Sequence, residues 1–82
     1  MYILDFDPKV ITVIAKWKKS NPNLFKKLAK ILYAIQEDPR NGIGHPEPLV
    51  GGNGITYSRR ITAHDRIIYN IYVEEVHVLV IE

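Results

Sequence analysis

Two Asx-Pro pairs limit the fold of this chain more than any other feature. Asp7-Pro8 and Asn21-Pro22 each put a side-chain oxygen where a helix N-cap needs one, followed by proline at the first helical position, where no backbone N–H is required. Behind the first pair, Val10, Val13, Ile14 and Trp17 recur at helical spacing. Behind the second, Leu24, Leu28, Ile31, Leu32 and Ile35 form an apolar stripe, while Lys26, Lys27 and Lys30 fall on the outer face. Pro39 closes the second helix. The turn "SNP" at 20–22 leaves almost no connecting chain, so the spacing predicts a helical hairpin.

The period then changes. Between Asn41 and Gly54 the chain carries Gly42, Gly44, Gly51, Gly52 and Gly54 together with Pro46 and Pro48, which reads as a long loop, and long ordered loops are often functional. Beyond it the alternation is two. In "ITYSRRIT" (55–62), Ile55, Tyr57 and Ile61 share one side; Thr56, Ser58, Arg60 and Thr62 share the other. In "RIIYNIYV" (66–73), Ile67, Tyr69, Ile71 and Val73 oppose Arg66, Ile68, Asn70 and Tyr72. "VHVLVI" (76–81) is almost wholly apolar, the pattern of a strand covered on both faces. "YILDF" (2–6) reads as a first strand. The connections "TAHD" and "EE" are short enough for antiparallel pairing. The expected architecture is α+β: an N-terminal strand, a two-helix hairpin and a three-stranded antiparallel meander, with the helices on one face of the sheet. With 82 residues, one domain spanning 1–82 is expected.

Composition excludes several classes of function. The absence of cysteine removes disulfides and thiolate metal sites. The opening "MYILDFDPKV" lacks the basic-then-apolar order of a secretory leader. No apolar run approaches the roughly 18 residues of a membrane span, so the expectation is a cytoplasmic protein without membrane association. The net charge is only +2, but lysines crowd the first 30 positions, and Arg59, Arg60 and Arg66 form a second group. Two basic patches suit a polyanion partner; for the lysines alone, a solvated helix face is the plainer reading.

Period-two geometry puts Arg60 and Arg66 on the uncovered side of one hairpin. Two adjacent guanidiniums repel unless an anion lies between them, and the planar guanidinium fork matches phosphate oxygens. The ordinary alternative is an ion pair with a carboxylate such as Asp65. Glu47 sits between Pro46 and Pro48 in "GIGHPEPL" (42–49), just ahead of the strand that carries Arg60. A carboxylate held beside arginines can serve as a general base on a hydroxyl; a surface glutamate whose prolines only shape a turn is the plainer reading. His45 borders this loop and could contact phosphate or move a proton. His64 falls in a hairpin turn, and His77 in the last strand as a packed histidine. No pair has helical two-ligand spacing, so no metal site is expected. "GGNG" lacks the lysine and helix of a phosphate-binding P-loop, and neither Ser20 nor Ser58 has a nucleophile-elbow context.

"GIGHPEPL", then "YSRRIT", then "DRIIY", together with the helical hairpin "NPNLFKKLAKILYAIQEDP", resemble the Txe/YoeB group of toxins in the RelE/ParE superfamily across essentially the whole chain. The resemblance implies a RelE-like fold and the toxin of a type II toxin–antitoxin pair. It implies a cofactor-free, metal-independent endoribonuclease that cuts messenger RNA on the ribosome. The implied partners are a YefM/Phd-like antitoxin, operator DNA through the antitoxin complex, and a second copy of the chain. On the matching positions, the family's catalytic glutamate falls on Glu47 and its phosphate-binding arginines on Arg60 and Arg66. Arg59, His45, Lys26 and Lys27 are expected to contact RNA. The family's pattern continues into a tail with a histidine–tyrosine pair, whereas this sequence stops at "VLVIE". The alternative expectation is therefore a catalytically impaired homologue that acts only through antitoxin and operator binding. A third reading, the gyrase-directed branch of the superfamily, does not use the "HPEP" and "SRR" segments.

Overall fold

The computed structural model of the chain describes residues 1–49 and 52–82. Its element order is β1 (Ile3–Phe6), α1 (Pro8–Ser20), α2 (Pro22–Glu37), β2 (Glu47–Pro48), β3 (Thr56–Arg60), β4 (Arg66–Ile71) and β5 (Glu75–Ile81). Both helix starts form where the Asx-Pro pairs put them. Asp7 accepts from the Lys9 N–H at 2.9 Å, and Asn21 accepts from the Leu24 N–H at 3.3 Å. Asn21 also donates its backbone N–H to the Trp17 carbonyl at 2.8 Å. One residue thus ends α1 and begins α2, which forces the hairpin.

The strands form a five-stranded mixed sheet in the order β1-β5-β4-β3-β2. The β3-β4-β5 part is the antiparallel meander. β1 joins it in parallel beside β5, with Asp5 opposite His77, a crossover made possible by the helical hairpin between them. The helices cover one face. Val10, Leu28, Ile31 and Ile35 meet Ile67, Tyr69, Ile71, Val76 and Val78 there, all buried. At roughly 25 cal/mol per Å² of apolar surface removed from water, this layer supplies most of what holds the fold.

Two sequence expectations need correction. β5 is not covered on both faces: its burial alternates, with Val76 and Val78 buried, His77 and Leu79 only partly buried and Val80 38% exposed. Its unbroken apolar run has a different cause. The register slips between Ile68 and Tyr69, which face Val80 and Val78. Leu79 is therefore an extra residue, and the inward set passes from Val76 and Val78 to Ile81. A bulge shifts the phase of the alternation, so period two is lost from the sequence while remaining in the sheet. The second correction concerns the loop from Asn41 to Gly54. Glu47 and Pro48 pair with Ser58 and Tyr57 as a short edge strand. An edge is where proline is tolerated in a sheet. Val50 and Gly51, part of the same expected loop, lie outside the described residues.

Candidate active site

The open face of the sheet gathers the polar side chains. Arg60 and Arg66 stand directly opposite each other across β3 and β4, as the alternation predicts, and cross-strand partners project to the same side. Glu47 is opposite Ser58 on the neighbouring edge. Ser58 and Arg60 are two residues apart, so they share a face. Glu47, Ser58, Arg60 and Arg66, with His45, line a single recess of about 20 Å³, small enough to be filled by one or two ligand atoms rather than by a whole nucleotide. Glu47 and both arginines are exposed.

Among the described residues, the ion pairs within 4.0 Å are those of His77 with Asp5 and Glu75. The guanidiniums of Arg60 and Arg66 are thus not paired with a carboxylate. Asp65, the partner offered by the plainer reading, is held by its own turn instead: Thr62 Oγ1 donates to Asp65 Oδ2 at 2.6 Å. Two unpaired, opposed guanidiniums raise the local positive potential, and an anion in the recess relieves it.

Glu47 reaches this face through a tightly folded approach. Gly42 has φ +116° and Gly44 has φ +83°, backbone that L side chains rarely adopt. At Gly44 an added Cβ would lie 2.5 Å from the Arg60 carbonyl and 2.7 Å from Arg59 Cγ, so only glycine fits. The Arg60 N–H donates to the Gly44 carbonyl at 2.7 Å. His45 has φ +50°, a left-handed conformation costing roughly 1–2 kcal/mol outside glycine. Leu49 N–H donates to the Thr56 carbonyl at 3.0 Å, which extends the β2–β3 pairing past the prolines.

Arg59 is the expected RNA contact that the structure contradicts. It projects to the helix side of β3 and is 1% exposed. Its Nη2 donates to the carbonyls of Asp38 at 2.9 Å and Asn41 at 3.0 Å, and its Nε to Tyr69 Oη at 3.3 Å. Among the described residues, Nη1 is buried without a hydrogen-bond partner, a cost that the fold carries. Tyr69 in turn donates its hydroxyl to the Pro39 carbonyl at 2.7 Å. Burial pushes the Tyr69 phenol above its ordinary pKa of 10.0, only partly offset by Arg59. The alternation already assigns this fate: Arg59 shares a side with Tyr57 and Ile61, and only its residue type points to solvent. Ser58 is the reverse case, a recess residue missed although it shares Arg60's side.

Lys26 and Lys27 are both exposed on α2. Lys27 lines a cleft of about 420 Å³ with Lys30, Ile43 and Arg60, so this cleft and the recess share Arg60; Lys26 lines neither. His64 is exposed. His77 is packed edge-on against Tyr72, and its Nε2 lies 3.4 Å from Asp5 and 3.2 Å from Glu75. The sequence offered no metal site, yet these three side chains place ligand atoms within 4.8 Å of one another. They belong to β1 and β5, at the edge of the sheet opposite Glu47. No helix among the described residues is long and apolar enough to cross a membrane.

Residues 6–82 match the family model of YoeB-like toxins of bacterial type II toxin–antitoxin systems. The chain is 33% identical over 79 residues to toxin YoeB of Mycobacterium bovis and, equally, to toxin RelK of Mycobacterium tuberculosis, covering 96% of this chain and 93% of each relative. Among solved structures it shares its fold with a YoeB–YefM complex from Staphylococcus aureus, at TM-score 0.84 and 24% identity, covering 100% of this chain and 95% of that one. It also shares its fold with a YoeB/ParE toxin from Agrobacterium tumefaciens, at TM-score 0.86 and 23% identity, covering 98% and 95%.

Proposed function

The chain belongs to the family of YoeB-like toxins of bacterial type II toxin–antitoxin systems, and from that premise we propose that it is a metal-independent endoribonuclease acting on messenger RNA at the ribosome. The observation that carries this reading is the cross-strand pair Arg60 and Arg66, unpaired by carboxylates, lining one recess with Glu47. Glu47 takes the proton from a ribose 2′-hydroxyl. The freed oxygen pair attacks the adjacent phosphorus, the bond from phosphorus to the 5′-oxygen breaks, and that oxygen leaves with a proton from a general acid. The products are a 2′,3′-cyclic phosphate and a 5′-hydroxyl end. Arg66, helped by Arg60, meets the charge that grows on the non-bridging oxygens. Donors fixed before the reaction stabilise that charge without reorganising. His45 and Ser58 also line the recess.

The partner we propose is an antitoxin of the YefM kind, supported by the fold shared with toxins solved in YoeB–YefM complexes. Operator DNA is reached through that complex. A homodimer is proposed on the fold shared with a YoeB dimer from Staphylococcus aureus. The test is induction of the full chain in a bacterial host, with and without its antitoxin, together with Glu47→Gln. Growth arrest with cut messages in the wild type, and a cleavage rate lower by roughly a hundred- to ten-thousandfold in the variant, are expected. Antitoxin binding without cleavage by the wild type would replace this reading with that of a binding protein. Arrest with DNA damage would point to gyrase.

A further inference from the structure

β3 carries its site residues on one side and something else on the other. Ser58 and Arg60 face the recess; Arg59, between them, faces back under the helices. There its side chain and that of Tyr69 hold three carbonyls of the four-residue stretch 38–41 that leaves α2. Arg59 Nη2 holds Asp38 and Asn41, and Tyr69 Oη holds Pro39. Gly42 then passes beside the guanidinium, where a Cβ would stand 3.5 Å from Nη1. Gly44 passes against the Arg59 stem so closely that no Cβ fits. The next side chains are His45 and, two residues on, Glu47. The chain is therefore wound around the back of Arg59 and delivered, over the edge of β3, to the front.

We infer that Arg59 is a positioning residue for Glu47: its buried guanidinium fixes the course of residues 38–45 and so aims the carboxylate at the recess. This rests on the reading of Glu47 as the general base. Three features favour it over a purely stabilising role. A guanidinium costs far more to bury than an apolar side chain of similar length. The carbonyls that it holds all belong to the approach to Glu47, and none to the core strands. Its flanking residues Ser58 and Arg60 are in the recess, so any movement of the segment relative to β3 is a movement of Glu47 relative to the arginines. Displacements of about 1 Å at a reacting group can cost about a hundredfold in rate.

The test is a double-mutant cycle on the full chain, scoring cleavage of ribosome-bound messenger RNA well below each variant's melting temperature. The variants are Arg59→Met, Glu47→Gln and their combination, with Arg59→Lys as the gentler change should methionine not fold. Arg59→Met is expected to lower kcat roughly ten- to a hundredfold, with KM for RNA unchanged. In the Glu47→Gln background it should cause no further loss. Arg59→Lys keeps the charge but not the fork and should fall between. Amide exchange should accelerate over residues 40–48 and not over Ile67–Ile71. Unchanged kcat in the Arg59 variants while Glu47→Gln is inactive overturns the inference alone. So does a loss that persists in full in the Glu47→Gln background, the mark of general destabilisation. If Glu47→Gln cleaves like the wild type, the assignment of the base fails and this inference falls with it.

Discussion

Arg59 and Arg60 share a side-chain type and a peptide bond, but they occupy opposite environments. Arg59 is sealed under the helical layer and spends its donors on carbonyls of its own chain. Arg60 faces out, opposite Arg66 and beside Glu47. The pleat of β3 assigns both fates, since successive side chains must leave by opposite faces. Behind the sheet, a cation holds backbone carbonyls; in front of it, a cation is exposed, with no carboxylate partner among the described residues. The covered face and the open face are thus two uses of one chemistry, and substitutions on each should fail in different ways.

The largest contrast is between neighbours on β4. Arg66 points to the open face and Ile67 to the core, where it is 0% exposed. Arg66→Ala should cut the cleavage rate about a hundred- to a thousandfold, the usual cost of a lost transition-state donor, and leave the melting temperature nearly unchanged. Ile67→Ala should do the reverse. It should lose about 2–5 kcal/mol of stability to the cavity, seen as a lower denaturation midpoint, with activity retained in the fraction that folds. A destabilised Arg66→Ala protein would break the division between the two faces.

How much of that division is visible in the sequence depends on which rule governs each residue. The helical hairpin is legible because the Asx-Pro pairs specify caps locally. The pairing of Arg60 with Arg66 is legible because a short hairpin leaves little freedom of register. Glu47's paired state is not, because β2 is too short to show any period and depends on contacts with β3 that only the folded chain supplies. The same limit hides the bulge at Leu79, which makes a one-sided strand look like a buried one. Arg59 departs from expectation for a different reason: its parity places it on the covered face, whereas arginine as a residue type favours solvent. The carbonyls that make its burial possible come from residues 18 and 21 positions away, and no local pattern announces them.

A smaller contrast lies within the covered face, between its apolar and polar members. Tyr69 is buried, and its phenol holds its proton beyond the ordinary pKa of 10.0 because burial disfavours the phenolate. The folded chain therefore binds that proton more tightly than the unfolded one. The corresponding stability is fully present below pH 10 and is lost as pH rises above it. Tyr69→Phe should cost about 1–3 kcal/mol at neutral pH by leaving the Pro39 carbonyl unpaired. It should also flatten the decline in stability above pH 10 relative to the wild type, measured by urea unfolding at each pH. An identical decline in both proteins would mean that Tyr69 is not the group responsible.

The smallest expected difference tests whether the open face extends beyond the recess. Lys26 and Lys27 are sequence neighbours on the exposed side of α2, but only Lys27 shares the cleft with Lys30 and Arg60. If RNA leaving the recess follows that cleft, Lys27→Ala weakens RNA binding and lowers the slope of log affinity against log salt by about 0.7, the value for one phosphate contact on a single strand. Lys26→Ala should change the slope by less than half as much. Neither should alter stability by more than about 0.5 kcal/mol, as is usual for surface positions. Salt titrations of RNA binding by the two variants decide the matter. Equal slopes would mean that the lysines act as a diffuse field around α2, with the RNA path confined to the face that holds Glu47, Arg60 and Arg66. Unequal slopes would trace that path around the end of β3, and would make Arg60 the residue that joins the cleft to the recess.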